Sequence, residues 1–153
     1  MSKKSNTVVS NQVNTQELQH LITVSSGFID AYVIRCDAKP AMLLPQNIVL
    51  SAFDSPTHLE FVEWHESKLP VYRVNKSSSA LGVTLVIEGE EADQRFALMC
   101  EDMPESIRVR ISEVVDEDQK IDDQHIIQYV RIGAELFHVP HMYNIQKDLG
   151  IQL

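Results

Sequence analysis

Tyr32-Val-Ile-Arg-Cys-Asp-Ala-Lys-Pro-Ala-Met-Leu-Leu-Pro-Gln-Asn-Ile-Val49 holds two apolar runs and the start of a third, divided by short polar breaks. The first run ends at Cys36, and four turn-forming residues, 37–40, separate it from the second. No long 3.6-residue periodicity appears here, and the β-branched and aromatic side chains suit a pleated strand. The two runs read as a hairpin, and the Leu44-Pro45 step passes the chain into a new strand.

The same rhythm continues on both sides. Strands are expected at 28–36, 41–44, 48–53, 59–63, 71–75, 82–88, 95–101, 106–115, 126–132 and 135–139. Residues 88–93 read as a hairpin turn containing Gly89, and Gly133 supplies a positive φ between the last two strands. Residues 76–80 form a flexible loop. A helix is expected at 142–149, ended by Gly150. Before the first strand, residues 15–22 suit a short helix capped by Asn14 or Thr15, and residues 1–14 read as a disordered polar tail. Ten short strands with no strand–helix–strand alternation imply an all-β barrel or sandwich over residues 15–153.

Hydrophobic residues make up 44% of the 153 residues, enough to bury a core, and 23% are charged. The net charge of −9 makes nucleic acid and anionic membrane poor partners and favours proteins with basic patches. Cys36 and Cys100 lie in apolar runs, where a thiol packs as a small hydrophobe. The polar start carries no apolar signal segment, and no run reaches the roughly 18 apolar residues of a membrane span. A cytoplasmic protein with reduced thiols, not inserted in a membrane, is expected.

No catalytic, metal or cofactor-binding residue is expected. His138 and His141 stand three apart, but Pro140 and the strand-like flank put them on opposite faces, as polar residues at a strand edge. Asp54, His58, Glu63, His65 and Glu66 are close in sequence, yet no nucleophile motif accompanies them. The acidic stretch 116–123 lacks the alternation of a calcium loop and reads as a solvated connector. Arg108, Arg110 and Arg131 form no patch with interleaved aromatics. Binding of other proteins is the expected function.

Three ordered segments then resemble the CheW-like domain of bacterial chemosensory arrays. The first is the stretch from Tyr32 to Val49. The second is Phe61-Val-Glu-Trp-His-Glu-Ser-Lys-Leu-Pro-Val-Tyr-Arg-Val74, similar to the family's stretch ending in a Pro-Val strand. The third, Ile126-Ile-Gln-Tyr-Val-Arg-Ile-Gly-Ala-Glu-Leu-Phe-His-Val-Pro-His-Met142, looks like its closing hairpin. The resemblance spans about residues 27–149. It implies two small five-stranded, SH3-like barrels sharing a core, with a short C-terminal helix and no catalytic residues. It also implies an adaptor that links a methyl-accepting chemoreceptor to a CheA-type histidine kinase.

The chain departs from that pattern where His65-Glu66 replaces an Arg-Gly pair, where Ser51 replaces a Glu, and where Gln128 replaces a Gly. Divergent CheW-like proteins of this kind, ChpC among them, accompany the type IV pilus system of twitching motility. The partner-contact residues implied by the resemblance and the sequence are Val49, Ser51, Phe53, Trp64, His65 and Glu66. Trp64 is the sole tryptophan, a residue type suited equally to a core and to an interface. Two other readings stand beside the adaptor: an accessory protein that binds one partner only, and a small ligand-binding barrel or enzyme using His58, His65 and nearby carboxylates.

Overall fold

The computed structural model describes residues 27–76 and 79–153. The tail expected at 1–14 and the helix expected at 15–22 lie outside the described residues. Eleven strands and one α-helix form among them: β1 (Phe28–Ile34), β2 (Ala41–Pro45), β3 (Val49–Pro56), β4 (Phe61–Trp64), β5 (Ser67–Arg73), β6 (Leu81–Ile87), β7 (Phe96–Cys100), β8 (Glu105–Arg110), β9 (Val114–Glu117), β10 (Ile126–Ile132), β11 (Glu135–Pro140) and α1 (Met142–Asp148).

One six-stranded sheet has the order β8-β1-β2-β11-β10-β9, and a five-stranded sheet has the order β3-β6-β7-β5-β4. The single strand expected at 106–115 is two strands, because a 3-10 turn at Ile111–Glu113 bends it. Its first half pairs with β1 and its second with β10. Since β8 and β9 are the outer strands of their sheet, the bend joins the two edges and closes a barrel of five strands, one of them bent. The bend shifts the alternation by one residue: Ile107 and Val114, seven apart, both pack on the cluster of Val33 and Phe137, and Val115 is turned out to 59% exposure. Apolar residues stand on both sides of the bend, Ile107 and Val109 before it and Val114 and Val115 after it, so the segment reads as one run.

The second sheet curls so that β3 and β4, its two outer strands, face one interior. Phe53 from β3 and Val62 from β4 pack there with Val86, Ala97 and Met99. No ladder joins β3 to β4, so this second barrel is half closed.

Between the barrels lies a third cluster, and the period of two explains it. On β6, Val83, Leu85 and Ile87 face this cluster while Val86 faces the second barrel's interior. On β7, Phe96, Leu98 and Cys100 alternate in the same way with Ala97 and Met99. Both strands are buried on both faces, which is why they read as continuous apolar runs. Ile34, Met42 and Leu44 complete the cluster from the first barrel, and Ile145 of α1 covers it. The expected two barrels around a shared core form.

Helix α1 is held at both ends. The His141 Nδ1 accepts the Asn144 N–H at 3.2 Å. Gly150, at φ 83°, donates its N–H to the Lys147 carbonyl, and the Ile151 N–H reaches Gln146, a Schellman close. Asp148 bonds the His125 Nε2 at 2.6 Å, and the His125 Nδ1 meets the Tyr72 hydroxyl at 3.3 Å, tying α1 to β5 of the other barrel. Burial pushes the Tyr72 phenol up to about 12, so it stays a neutral hydrogen-bonding group.

His138 is not the strand-edge residue expected from its sequence. It sits in β11 between β2 and β10, only 1% exposed, with its Nδ1 2.7 Å from the Pro40 carbonyl. The partner is 98 residues away in the chain, which local pattern cannot reveal. Burial pushes the imidazole below its ordinary range. The folded state then binds less proton than the unfolded chain, so stability present above about pH 6.5 falls as pH drops below it. A His138→Gln variant should show a smaller decline in urea midpoint between pH 7.5 and 5 than the parent; parallel declines would refute the assignment.

Candidate partner-binding surface

The hairpin β4–β5 carries the candidate surface. Its register pairs Phe61 with Pro70, Val62 with Leu69, Glu63 with Lys68 and Trp64 with Ser67, leaving His65-Glu66 as a two-residue turn. Both turn residues have positive φ, 49° and 67°, the signature of a type I′ turn. That geometry is normally filled by Asn-Gly or Asp-Gly. Sequence reading therefore leaves 64–70 outside the strands, whereas Trp64 ends β4 and Ser67 already opens β5.

At the tip the Trp64 and His65 rings stack, with centroids 4.0 Å apart and planes 11° from parallel. The Arg95 guanidinium lies over the same indole, Cζ 5.4 Å from its centroid. Arg95 is held in turn by Glu88, Nε to Oε1 2.8 Å, and this hydrogen bond keeps the Glu88 carboxyl below its ordinary range. Trp64 itself is half-buried and packs with Phe53 and Leu59 against the second barrel's interior. It therefore belongs to the core on one side and to the surface on the other. Phe61 is 47% exposed, with the Lys68 Nζ 4.6 Å above its ring.

Of the six residues expected to contact partners, Trp64, His65 and Glu66 lie together at the hairpin tip, and Phe53, opposite Thr84 on β3, packs against the same interior cluster as Trp64. Val49 does not join them, because it packs against the shared core. Ser51 follows a bulge in the β3–β6 ladder, where Leu50 is pushed out to 37% exposure. Arg95 and Phe61, which the fold sets beside the hairpin, were not among the residues expected there. Arg95 reaches Trp64 only through the fold, and Phe61 is exposed because its neighbour Val62 takes the inward position of β4.

The other polar groups are dispersed. Asp54 lies on β3, His58 on the following loop, Glu63 on β4, and no hydrogen bond joins them among the described residues. His58 lines an open cleft of about 720 Å³ with Arg73 and Asn75. The Arg73 side chain is committed to the loop, donating to the Thr57 carbonyl at 2.9 Å and to the Leu59 carbonyl at 2.5 Å. No group of three metal-ligating side chains occurs among the described residues. Both cysteines are free thiols, and burial pushes Cys100 up to about 12 and raises Cys36, so both are protonated at neutral pH.

Two further expectations need correcting. Arg108 and Arg110 do flank an aromatic: their Cζ atoms lie 5.0 Å and 4.6 Å from the centroid of Phe28, across the β1–β8 ladder. The acidic stretch is not wholly a solvated connector. Asp116 and Glu117 belong to β9, Glu117 pairs with Arg131 at 2.9 Å, and Asp123 pairs with Lys39 at 3.0 Å.

Neither a protein-family model nor a curated protein matches this sequence. Among solved structures, the chain is similar to the scaffolding protein TtCheW from Thermoanaerobacter tengcongensis. The TM-score is 0.58 at 11% identity, over 74% of this chain and 88% of that one. The likeness is one of fold: two small β-barrels around a shared core, followed by a short helix. No helix among the described residues is long and apolar enough to cross a membrane.

Proposed function

We propose that this chain is a non-enzymatic chemosensory scaffold of the CheW type, working in the cytoplasm. It couples a methyl-accepting chemoreceptor to a CheA-type histidine kinase, in the type IV pilus system of twitching motility. The observation that carries this reading is the two-barrel fold shared with the scaffolding protein TtCheW over most of both chains. The half-buried Trp64, stacked on His65 beside Arg95 at the hairpin tip, supports it, because affinity at protein interfaces concentrates in aromatic and arginine anchors. Glu66 follows that anchor in the turn, Phe53 packs against the same interior cluster as Trp64, and Ser51 lies along the same strand as Phe53. No cofactor is invoked.

The test is direct binding of the purified protein to a CheA-type kinase and to the cytoplasmic fragment of a chemoreceptor. Trp64→Ala, checked for folding by circular dichroism, should weaken binding by about 2 kcal/mol, roughly 30-fold. Binding of neither protein would overturn the proposal. A second reading is favoured by His65-Glu66, which stands where the CheW-like pattern has Arg-Gly and so loses a bidentate donor and adds a carboxylate. On that reading the chain binds one of the two partners and does not bridge; binding of one protein alone selects it.

A further inference from the structure

The two outer strands of the second barrel leave hydrogen-bonding groups unused on facing edges. The Val71 N–H donates to the Glu60 carbonyl, which makes Val62/Leu69 and Trp64/Ser67 the hydrogen-bonded pairs of the hairpin. The amides of Phe61 and Glu63 therefore point away from β5. On β3, the Thr57 N–H donates to the Ala80 carbonyl, so Phe53/Thr84 and Ser55/Gly82 are the bonded pairs. The amides of Ala52 and Asp54 point away from β6, while Pro56, at the loop end, has no N–H to offer. Neither edge has a partner strand among the described residues.

Side chains along this seam divide by face. Inward are Phe53, Leu59 and Trp64, all half-buried at the margin of the interior cluster. Outward are the exposed carboxylates of Asp54 on β3 and Glu63 on β4, the latter beside Phe61 and across from Lys68, with Glu60 and Glu66 at the two ends of β4. Arg73 fixes the 57–60 loop that sets the separation of the two edges.

We infer that this seam takes up an extended segment of a partner protein in which apolar residues alternate with lysine or arginine. A strand laid between β3 and β4 turns one side chain in two toward Phe53 and Trp64 and the next toward Asp54 and Glu63. Its own amides complete the ladders on both edges, the mode of recognition by strand addition. Because β3 and β4 run in opposite senses, the added strand is parallel to one and antiparallel to the other. The inference rests on the proposal that this end of the second barrel is the partner surface, and adds the chemistry of the segment recognised.

The probe is the peptide (Lys-Val)4, compared with (Glu-Val)4 and with (Lys-Val)4 methylated on alternate backbone nitrogens. Trp64 emission reads binding, and amide hydrogen exchange at Ala52, Asp54, Phe61 and Glu63 reads its place. The basic peptide should bind and slow exchange at those four amides. The acidic and methylated peptides should bind at least tenfold more weakly, as should the basic peptide to Glu63→Lys, an exposed position. Absence of binding, protection elsewhere, or equal binding of the methylated peptide would overturn the inference. Peptide binding without kinase or receptor binding would remove the scaffold role and leave the seam standing; kinase or receptor binding without the peptide would do the reverse.

Discussion

Phe96→Ala should lower stability by about 3–5 kcal/mol and unfold both barrels in one transition. Phe96 is fully buried at the start of β7, in the cluster that lies between the barrels. Its neighbours there come from β1, β2, β6 and α1, so the cavity left by the ring opens onto both halves of the molecule. A domain of this size holds about 5–15 kcal/mol in all, so the loss is a large part of the total. Urea unfolding followed by Trp64 emission reports the second barrel, and far-ultraviolet circular dichroism reports the whole chain. The two curves should coincide and shift together. If Trp64 emission shifts while the dichroism keeps a separate, unmoved transition, the shared core is not the unit of cooperativity.

Replacing His65-Glu66 by Asn-Gly should act in two opposite directions. Left-handed backbone costs an ordinary residue roughly 1–2 kcal/mol, and Asn-Gly accepts it readily, so the variant should gain about 1–2 kcal/mol of stability. The same change removes the imidazole stacked on Trp64 and the Glu66 carboxylate. Affinity for kinase or receptor should then fall at least tenfold. A more stable protein with unchanged affinity would show that the tip is a turn and nothing more.

Strand order along the chain was legible because every strand carries either alternation or a continuous apolar run. Which strands neighbour which was not. The segment 106–115 carries apolar residues on both sides of a bend that hands it from β1 to β10, and the one-residue shift of its inward positions shows only in the fold. The turn His65-Glu66 hides a hairpin because neither residue is the glycine or asparagine that positive φ usually selects. The site was legible in part for a related reason. Trp64, His65 and Glu66 are contiguous in sequence, and Phe53 packs against the same interior cluster as Trp64. Val49 carries the same kind of side chain as Phe53, but the bulge before Ser51 sends it to a different cluster. Arg95 reaches Trp64 across the fold from the start of β7, a distance that no spacing rule covers. Identity of 11% with a protein of the same fold fits this picture: inward apolar positions suffice for the barrels, while the residues at their ends are free to differ.

The first barrel takes β1 and β2 from before the second barrel's segment and β8 to β11 from after it, and β2 is covered only when β11 lies alongside in parallel. During synthesis, at about 5–20 residues per second, β2 leaves the ribosome on the order of ten seconds before its partner. The second barrel, whose strands are all present once Cys100 has emerged, can close in that interval. The β1–β2 hairpin then has the exposed faces of β6 and β7 to rest against while it waits. In the nascent chain the shared core is a holding surface before it is a core, and its mutation should be felt in yield from the cell as well as in the urea midpoint.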